Sequence, residues 1–258
     1  MSRKRAAKPH ARNNNVYQLE QALVANGRAH YEGPTKRKTW SKHDLKPIKA
    51  LTPPQQSMMQ DFFQGEHVVA HGSAGTGKSF VAIYLALSEA LDPNTETDKI
   101  ILVRSAVPGR EMGFLPGTEE EKAAVYERPY APIFASLLGR SATYEDMKEA
   151  GVVQFETTAH LRGLTWDNAV VIVDEGQNMT FEEINTIMTR LGEGSRMIFC
   201  GDLPQKDLKK KGDETGFPKF LQVAERMGSF GISLFTKYDI VRSGFCKDWI
   251  IACEEVGD

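Results

Sequence analysis

His67-Val68-Val69-Ala70-His71 runs straight into Gly72-Ser73-Ala74-Gly75-Thr76-Gly77-Lys78-Ser79. The first five residues read as a short buried strand. After the loop, Phe80, Ile83, Tyr84, Leu87 and Leu91 recur at the spacing of one helical face. Strand, glycine loop and helix, in that order, form the context a phosphate-binding loop requires. Glycines let the backbone wrap closely and turn its N–H groups inward, and the helix N-terminus adds partial positive charge. Gly72, Ser73, Ala74, Gly75, Thr76 and Gly77 would form the cradle. Lys78 would bring a full charge to the β- and γ-phosphates, and the Ser79 hydroxyl is a ligand for Mg²⁺.

Outward from the loop, apolar runs alternate with helix-like ones. Lys99 to Arg104, Val152 to Glu156, Ala169 to Val173, Arg196 to Cys200 and Ile232 to Phe235 read as strands. Pro53 to Phe63, Tyr144 to Ala150, Phe217 to Met227 and Asp239 to Glu255 read as helices, as does Glu119 to Leu138 with a break near Pro129 and Pro132. Thr180-Phe181-Glu182-Glu183 has the capping-box pattern, followed by a stripe of Phe181, Ile184, Ile187, Met188 and Leu191. Continuous apolar strands separated by helices predict an α/β fold whose mainly parallel sheet is covered on both faces, in three layers.

Two further strand ends carry polar clusters. Val170-Val171-Ile172-Val173 ends in Asp174-Glu175-Gly176-Gln177, at the edge of an open α/β sheet where ligands sit. Asp174 is suited to hold Mg²⁺, and Glu175 to orient and deprotonate the water that attacks the γ-phosphate. Acids commonly begin loops; the pair gains its meaning from the loop at 72–79. Arg196 to Cys200 ends in Gly201-Asp202-Leu203-Pro204-Gln205. Gln205 either reaches the γ-phosphate or its attacking water, or is an exposed amide in a Gly-Asp turn.

Composition is that of an ordinary globular chain, 41% hydrophobic and 26% charged over 258 residues. No stretch approaches the roughly 18–20 apolar residues of a membrane span. The N-terminal basic residues precede no apolar h-region, so no secretory signal is expected. Three cysteines without a C-x-x-C pair suit a reduced, cytoplasmic protein, and the six histidines show no zinc-ligand spacing. The net charge of −2 hides a polarity: residues 1–50 carry +9 and the remainder −11. Residues 1–50 are therefore expected to be a mobile basic arm on an acidic body spanning 51–258. The arm either neutralises nucleic-acid phosphates or serves as a solubilising tail.

In this order, Leu51-Thr52-Pro53-Pro54-Gln55, the loop, Asp174-Glu175-Gly176-Gln177 and Gly201-Asp202-Leu203-Pro204-Gln205 resemble the motifs of superfamily 1 helicase motors. A closer resemblance is to the PhoH-like ATPase family, including its phage-encoded members. It is carried by Ile101-Leu102-Val103-Arg104, Gly113-Phe114-Leu115-Pro116-Gly117, Leu161-Arg162-Gly163, the run 174–178, Thr189-Arg190-Leu191-Gly192, and Gly201-Asp202 with Gln205, Asp207 and Leu208. It covers residues 51–255 and leaves the basic arm outside. The resemblance implies a RecA-like P-loop NTPase that hydrolyses ATP with Mg²⁺, acts on single-stranded nucleic acid with RNA favoured over DNA, and has possible helicase activity. It implies that Gln55 reads the adenine edge, and that Arg104 and Arg162 contact nucleic acid or phosphate unless they form surface salt bridges. Ser79 stands where relatives often have Thr, which preserves Mg²⁺ ligation, and Gly176 where Ala or Ser is usual.

A superfamily 1 helicase sandwiches ATP between two such domains, and only about one domain's worth of sequence follows Leu51. The missing arginine finger is expected from a neighbouring copy, in a head-to-tail homo-oligomer, a hexameric ring. Arg242, matching the family's C-terminal Val-Arg, is the candidate finger in trans; otherwise it is a surface arginine. The competing function is a nucleotide-switched binding module in which hydrolysis only resets assembly. A small-molecule kinase would share the loop, but a glutamate placed to activate water belongs to hydrolysis.

Overall fold

The structure, a computed structural model, describes residues 40–105, 124–139, 143–161, 163–202 and 216–256. In chain order these form α1 (Pro53–Phe63), β1 (His67–Gly72), α2 (Lys78–Ala90), β2 (Lys99–Arg104), α3 (Tyr130–Leu138), α4 (Thr143–Glu149), β3 (Val153–Thr157), β4 (Ala169–Asp174), α5 (Phe181–Met188), β5 (Arg196–Gly201), α6 (Phe217–Met227), β6 (Phe230–Phe235) and α7 (Gly244–Val256). The six strands make one sheet in the order β3-β2-β4-β5-β1-β6, and every neighbouring pair is parallel. This is the expected α/β, RecA-like three-layer arrangement.

Strand alternation divides the core in two. Val68, Ala70, Ile100, Leu102, Val170, Ile172 and Ile198 face one side, packed with α1, α2, α3 and α4 through residues such as Met58, Leu85, Phe134 and Met147. Val69, Ile101, Val103, Val171, Val173, Met197 and Phe199 face the other, packed with Ile184 and Ile187 of α5 and Phe217, Phe220 and Leu221 of α6. Because both faces are covered, β4 is buried along all six residues, and its sequence has no polar alternation to show. Phe199 lies stacked on Phe220, ring centroids 4.3 Å apart.

Local chemistry explains where elements begin and end. The capping box forms as expected: Glu183 N–H donates to Thr180 Oγ1 at 3.2 Å, and Thr180 N–H to Glu183 Oε2 at 2.8 Å. Pro129 precedes α3 and Pro132 lies in its first turn, where a missing N–H costs nothing. The expected helix from Asp239 starts five residues later, at Gly244. Thr236 and Asp239 instead close a short 3₁₀ turn at Lys237–Asp239, with Thr236 N–H and Oγ1 donating to Asp239 Oδ2 at 2.8 and 2.7 Å. Helix α2 is also buried more widely than its expected stripe, over Val81, Ala82, Leu85 and Ala86 as well, because α1 and α3 pack on its outer side.

The body takes in residues from before Leu51. Leu45 is buried, Trp40 and Ile48 pack against the core, and Lys46 N–H donates to Leu137 O at 2.8 Å. The rest of the expected basic arm, residues 1–39, lies outside the described residues. No helix among the described residues is long and apolar enough to cross a membrane.

At the start of β5, Arg196 pairs with Glu89 of α2, donates to the Phe62 carbonyl, and lies 3.9 Å from the centroid of the Phe62 ring. Burial pulls the Arg196 guanidinium below its ordinary value. Removing one partner of such a pair strands the other charge against apolar surface. We expect Arg196→Ala and Glu89→Ala each to cost about 2 kcal/mol in urea unfolding, and the double variant to cost less than the two together. Strictly additive losses would show that the pair contributes nothing as a pair.

Candidate active site

The loop at 72–79 hangs between the end of β1 and the start of α2. Gly72 has φ 122°, and a Cβ there would lie 1.9 Å from the Phe235 carbonyl oxygen of β6. No other residue fits without parting β1 from β6, and the Ser73 N–H donates to that same carbonyl at 2.9 Å. Gly77, at φ 84°, forms the left-handed cap from which α2 starts.

Lys78 is 5% exposed and turns back into the loop. Its Nζ donates to Ser73 O at 2.7 Å and to Thr76 Oγ1 at 3.2 Å, and it pairs with Asp202 Oδ1 at 2.8 Å. Ser79 Oγ, one residue on, donates to Asp174 Oδ1 at 2.8 Å. Thus the ends of β1, β4 and β5 meet as expected, with β5 between the other two. Beneath the loop, burial and then the Lys78 charge pull His71 down to about 4, so it is neutral at pH 7.

Glu175 follows β4 with a left-handed backbone, φ 55°, unusual for a residue with a side chain. Its carboxylate accepts from Gln177 Nε2 at 2.7 Å and pairs with Arg104 at 3.4 Å. Burial, then Asp174 and Asp202, push Glu175 above the ordinary carboxylate range; Arg104 and Gln177 pull the other way. Arg104 also donates to Tyr126 O at 3.2 Å, so it stands as the acid's partner inside the site.

Gln55 is buried at the loop's outer side. Its Nε2 donates to Thr76 O at 2.8 Å, and its Oε1 accepts from Leu51 N–H at 2.8 Å. It braces the loop and also lines the cavity. Arg242 lies at the rim of this same chain's pocket, with Cγ 3.1 Å from where a Gly75 Cβ would be, while Val241 N–H donates to Gly75 O at 3.1 Å. Gln205 and Arg162 lie outside the described residues.

The cavity these groups line holds about 770 Å³, within the usual range for small-molecule sites. Ser79 and Asp174 offer adjacent hard oxygen donors, the type Mg²⁺ takes. Among the described residues, no group of three or more His, Cys, Asp or Glu could hold a metal ion.

Three contacts were not read from the sequence. Gln177 Oε1 accepts from Asp202 N–H at 2.9 Å, so one amide joins Glu175 to the end of β5. Asp202 is the partner of Lys78. Tyr130 donates from its buried hydroxyl to Asp174 Oδ2 at 3.0 Å. Gln177 and Asp202 carried a local signal, standing in the polar clusters after β4 and β5, whereas Tyr130 carried none. Gly176, the departure from the family pattern, has a steric reason: a Cβ there would lie 2.0 Å from Phe199 Cε1. We expect Gly176→Ala to cost about 2 kcal/mol of stability in denaturant unfolding, and Phe199→Leu in the same chain to recover much of it. A silent Gly176→Ala would show that the ring yields freely.

Residues 47–254 match the model of the PhoH-like protein family. The chain is 39% identical over 202 residues to the PhoH-like protein of Bacillus subtilis, covering 76% of this chain and 61% of that one. It is 36% identical over 206 residues to Protein PhoH of Escherichia coli K12, covering 79% and 57%. The chain thus spans about three fifths of the length of these curated relatives. Among solved structures, it is similar to the Sulfolobus solfataricus SWI2/SNF2 ATPase core in complex with dsDNA, at 14% identity and a TM-score of 0.42 over 78% of this chain and 47% of that one. It is also similar to the Pif1 helicase from Candida albicans, at 15% identity and a TM-score of 0.34 over 73% and 40%. With four fifths of its length matched, and with the phosphate loop and acidic strand end in place, the chain belongs to the PhoH-like protein family.

Proposed function

We propose that this chain is a Mg²⁺-dependent ATPase that couples ATP hydrolysis to the binding or remodelling of single-stranded nucleic acid, RNA in preference to DNA. The observation that carries the hydrolase reading is the convergence of Lys78 and Ser79, from the phosphate loop, with Asp174 and Glu175, from the end of β4, in one cavity. Lys78 is held by Asp202 and loop carbonyls; the γ-phosphate is a stronger anion and takes the ammonium over. Gly75, Thr76 and Gly77 present backbone N–H groups to the phosphates. Mg²⁺ held through Ser79 and Asp174 would offset phosphate charge. Glu175, its proton affinity raised by its surroundings, draws the proton from the attacking water. Arg242 reaches the triphosphate from the rim, and Gln205 orients the water. Gln55 supports the loop while reading the adenine edge.

The nucleic-acid role draws on the family resemblance and on the +9 charge of residues 1–50. Assembly as a homo-oligomer, a hexameric ring, and action in the cytoplasm complete the proposal.

Lys78→Ala should abolish ATP binding in calorimetry. Glu175→Gln should bind ATP yet lose at least about 100-fold in turnover, with or without single-stranded RNA. A Glu175→Gln chain that turns over normally would remove the residue from this role. Since Glu175 works deprotonated, activity should fall as pH drops through its raised pKa. Arg104 holds that value down, so Arg104→Ala should move the acid limb of the kcat–pH profile to higher pH. An unmoved or oppositely moved limb would assign the limb to another group.

A further inference from the structure

Tyr130 is unused by the reading so far. It is the first residue of α3, 1% exposed, with its ring beside Phe155 at 6.1 Å between centroids. Its hydroxyl donates to Asp174 Oδ2 at 3.0 Å while Ser79 Oγ donates to Asp174 Oδ1 at 2.8 Å. One carboxylate therefore receives a donor from each side. The terminal torsion of an aspartate is soft on its own, with broad, two-fold preferences. Two donors on opposite oxygens fix the plane of the group and leave each oxygen further acceptor capacity toward the cavity.

The donor itself is rigidly placed. Phe134 and Leu137, further along α3, are 0% and 1% exposed and anchor the helix in the core. Pro129 fixes its entry, and the 44-residue separation between Tyr130 and Asp174 makes this a bond between elements. Both Tyr130 and Asp174 line the cavity with Ser79.

We propose that Tyr130 is a positioning residue for the divalent cation, holding the Asp174 carboxylate in the plane that keeps Oδ1 and Ser79 Oγ together as a paired oxygen site. The inference rests on the metal–nucleotide reading above and adds to it a residue outside the loop and the acidic strand end. Partners that orient a metal-binding side chain typically alter metal affinity by 10–100-fold when removed.

The test uses the 258-residue chain and Tyr130→Phe, which deletes only the hydroxyl. Mn²⁺ binding is followed by electron paramagnetic resonance in the presence of a non-hydrolysable ATP analogue. Analogue affinity in EDTA is measured by calorimetry. Tyr130→Phe should bind Mn²⁺ about tenfold more weakly, with analogue affinity in EDTA unchanged. Phe134→Leu, which loosens the same helix without touching Asp174, should lower Tm and leave Mn²⁺ affinity as in the unaltered chain. Equal Mn²⁺ affinity in Tyr130→Phe and the unaltered chain overturns the inference while leaving the nucleotide site standing. So does a loss in Phe134→Leu as large as that in Tyr130→Phe. If the unaltered chain binds the analogue no better with Mn²⁺ than in EDTA, the inference and the metal–nucleotide reading fall together.

Discussion

The parallel alignment of β1, β5 and β4 is the constraint on which the site depends. Strands in a sheet lie about 4.8 Å apart, so the ends of β1 and β4 are separated by roughly 10 Å, with β5 between them. Three polar contacts of the site cross that gap or part of it. Ser79 reaches from the loop to Asp174, Lys78 from the loop to Asp202, and Gln177 from the β4 end to the β5 end. Antiparallel pairing would send one of these ends to the opposite edge of the sheet. The apolar strands and their covering helices hold the alignment, so the chemistry is positioned by the core beneath it.

Electrostatics gives the site its character. Asp174, Glu175 and Asp202 converge on a cavity where Lys78 is deeply buried and Arg104 is partly so. Three carboxylates and a polyphosphate would repel one another strongly in a space of low dielectric. A divalent cation beside Ser79 and Asp174 would relieve that repulsion, as the proposed function requires.

Much of this was legible in the sequence because its causes are local. A run of β-branched residues, glycines at fixed spacing and an acid pair after Val173 each announce themselves within a few residues. The same holds for the Thr180–Glu183 box. What stayed hidden was tertiary. Nothing near Tyr130 marks it as a partner of Asp174, and nothing near Gly176 marks Phe199 as the reason for a missing side chain. The start of α7 was misplaced because Asp239, read as part of a helix, is taken by Thr236 to close a tighter turn. Nor does anything near Arg242 announce that its side chain packs beside Gly75 of the loop.

Helix α1 runs between the loop after β1 and the start of β5. Gln55, near its start, braces the loop through Thr76, and Phe62, two turns on, carries Arg196 against its ring and carbonyl. Eleven residues of α-helix span about 16 Å as a stiff rod. The strut therefore links the floor of the sheet to the mouth of the cavity. A change at the floor has a mechanical route by which to tilt the wall of the cavity.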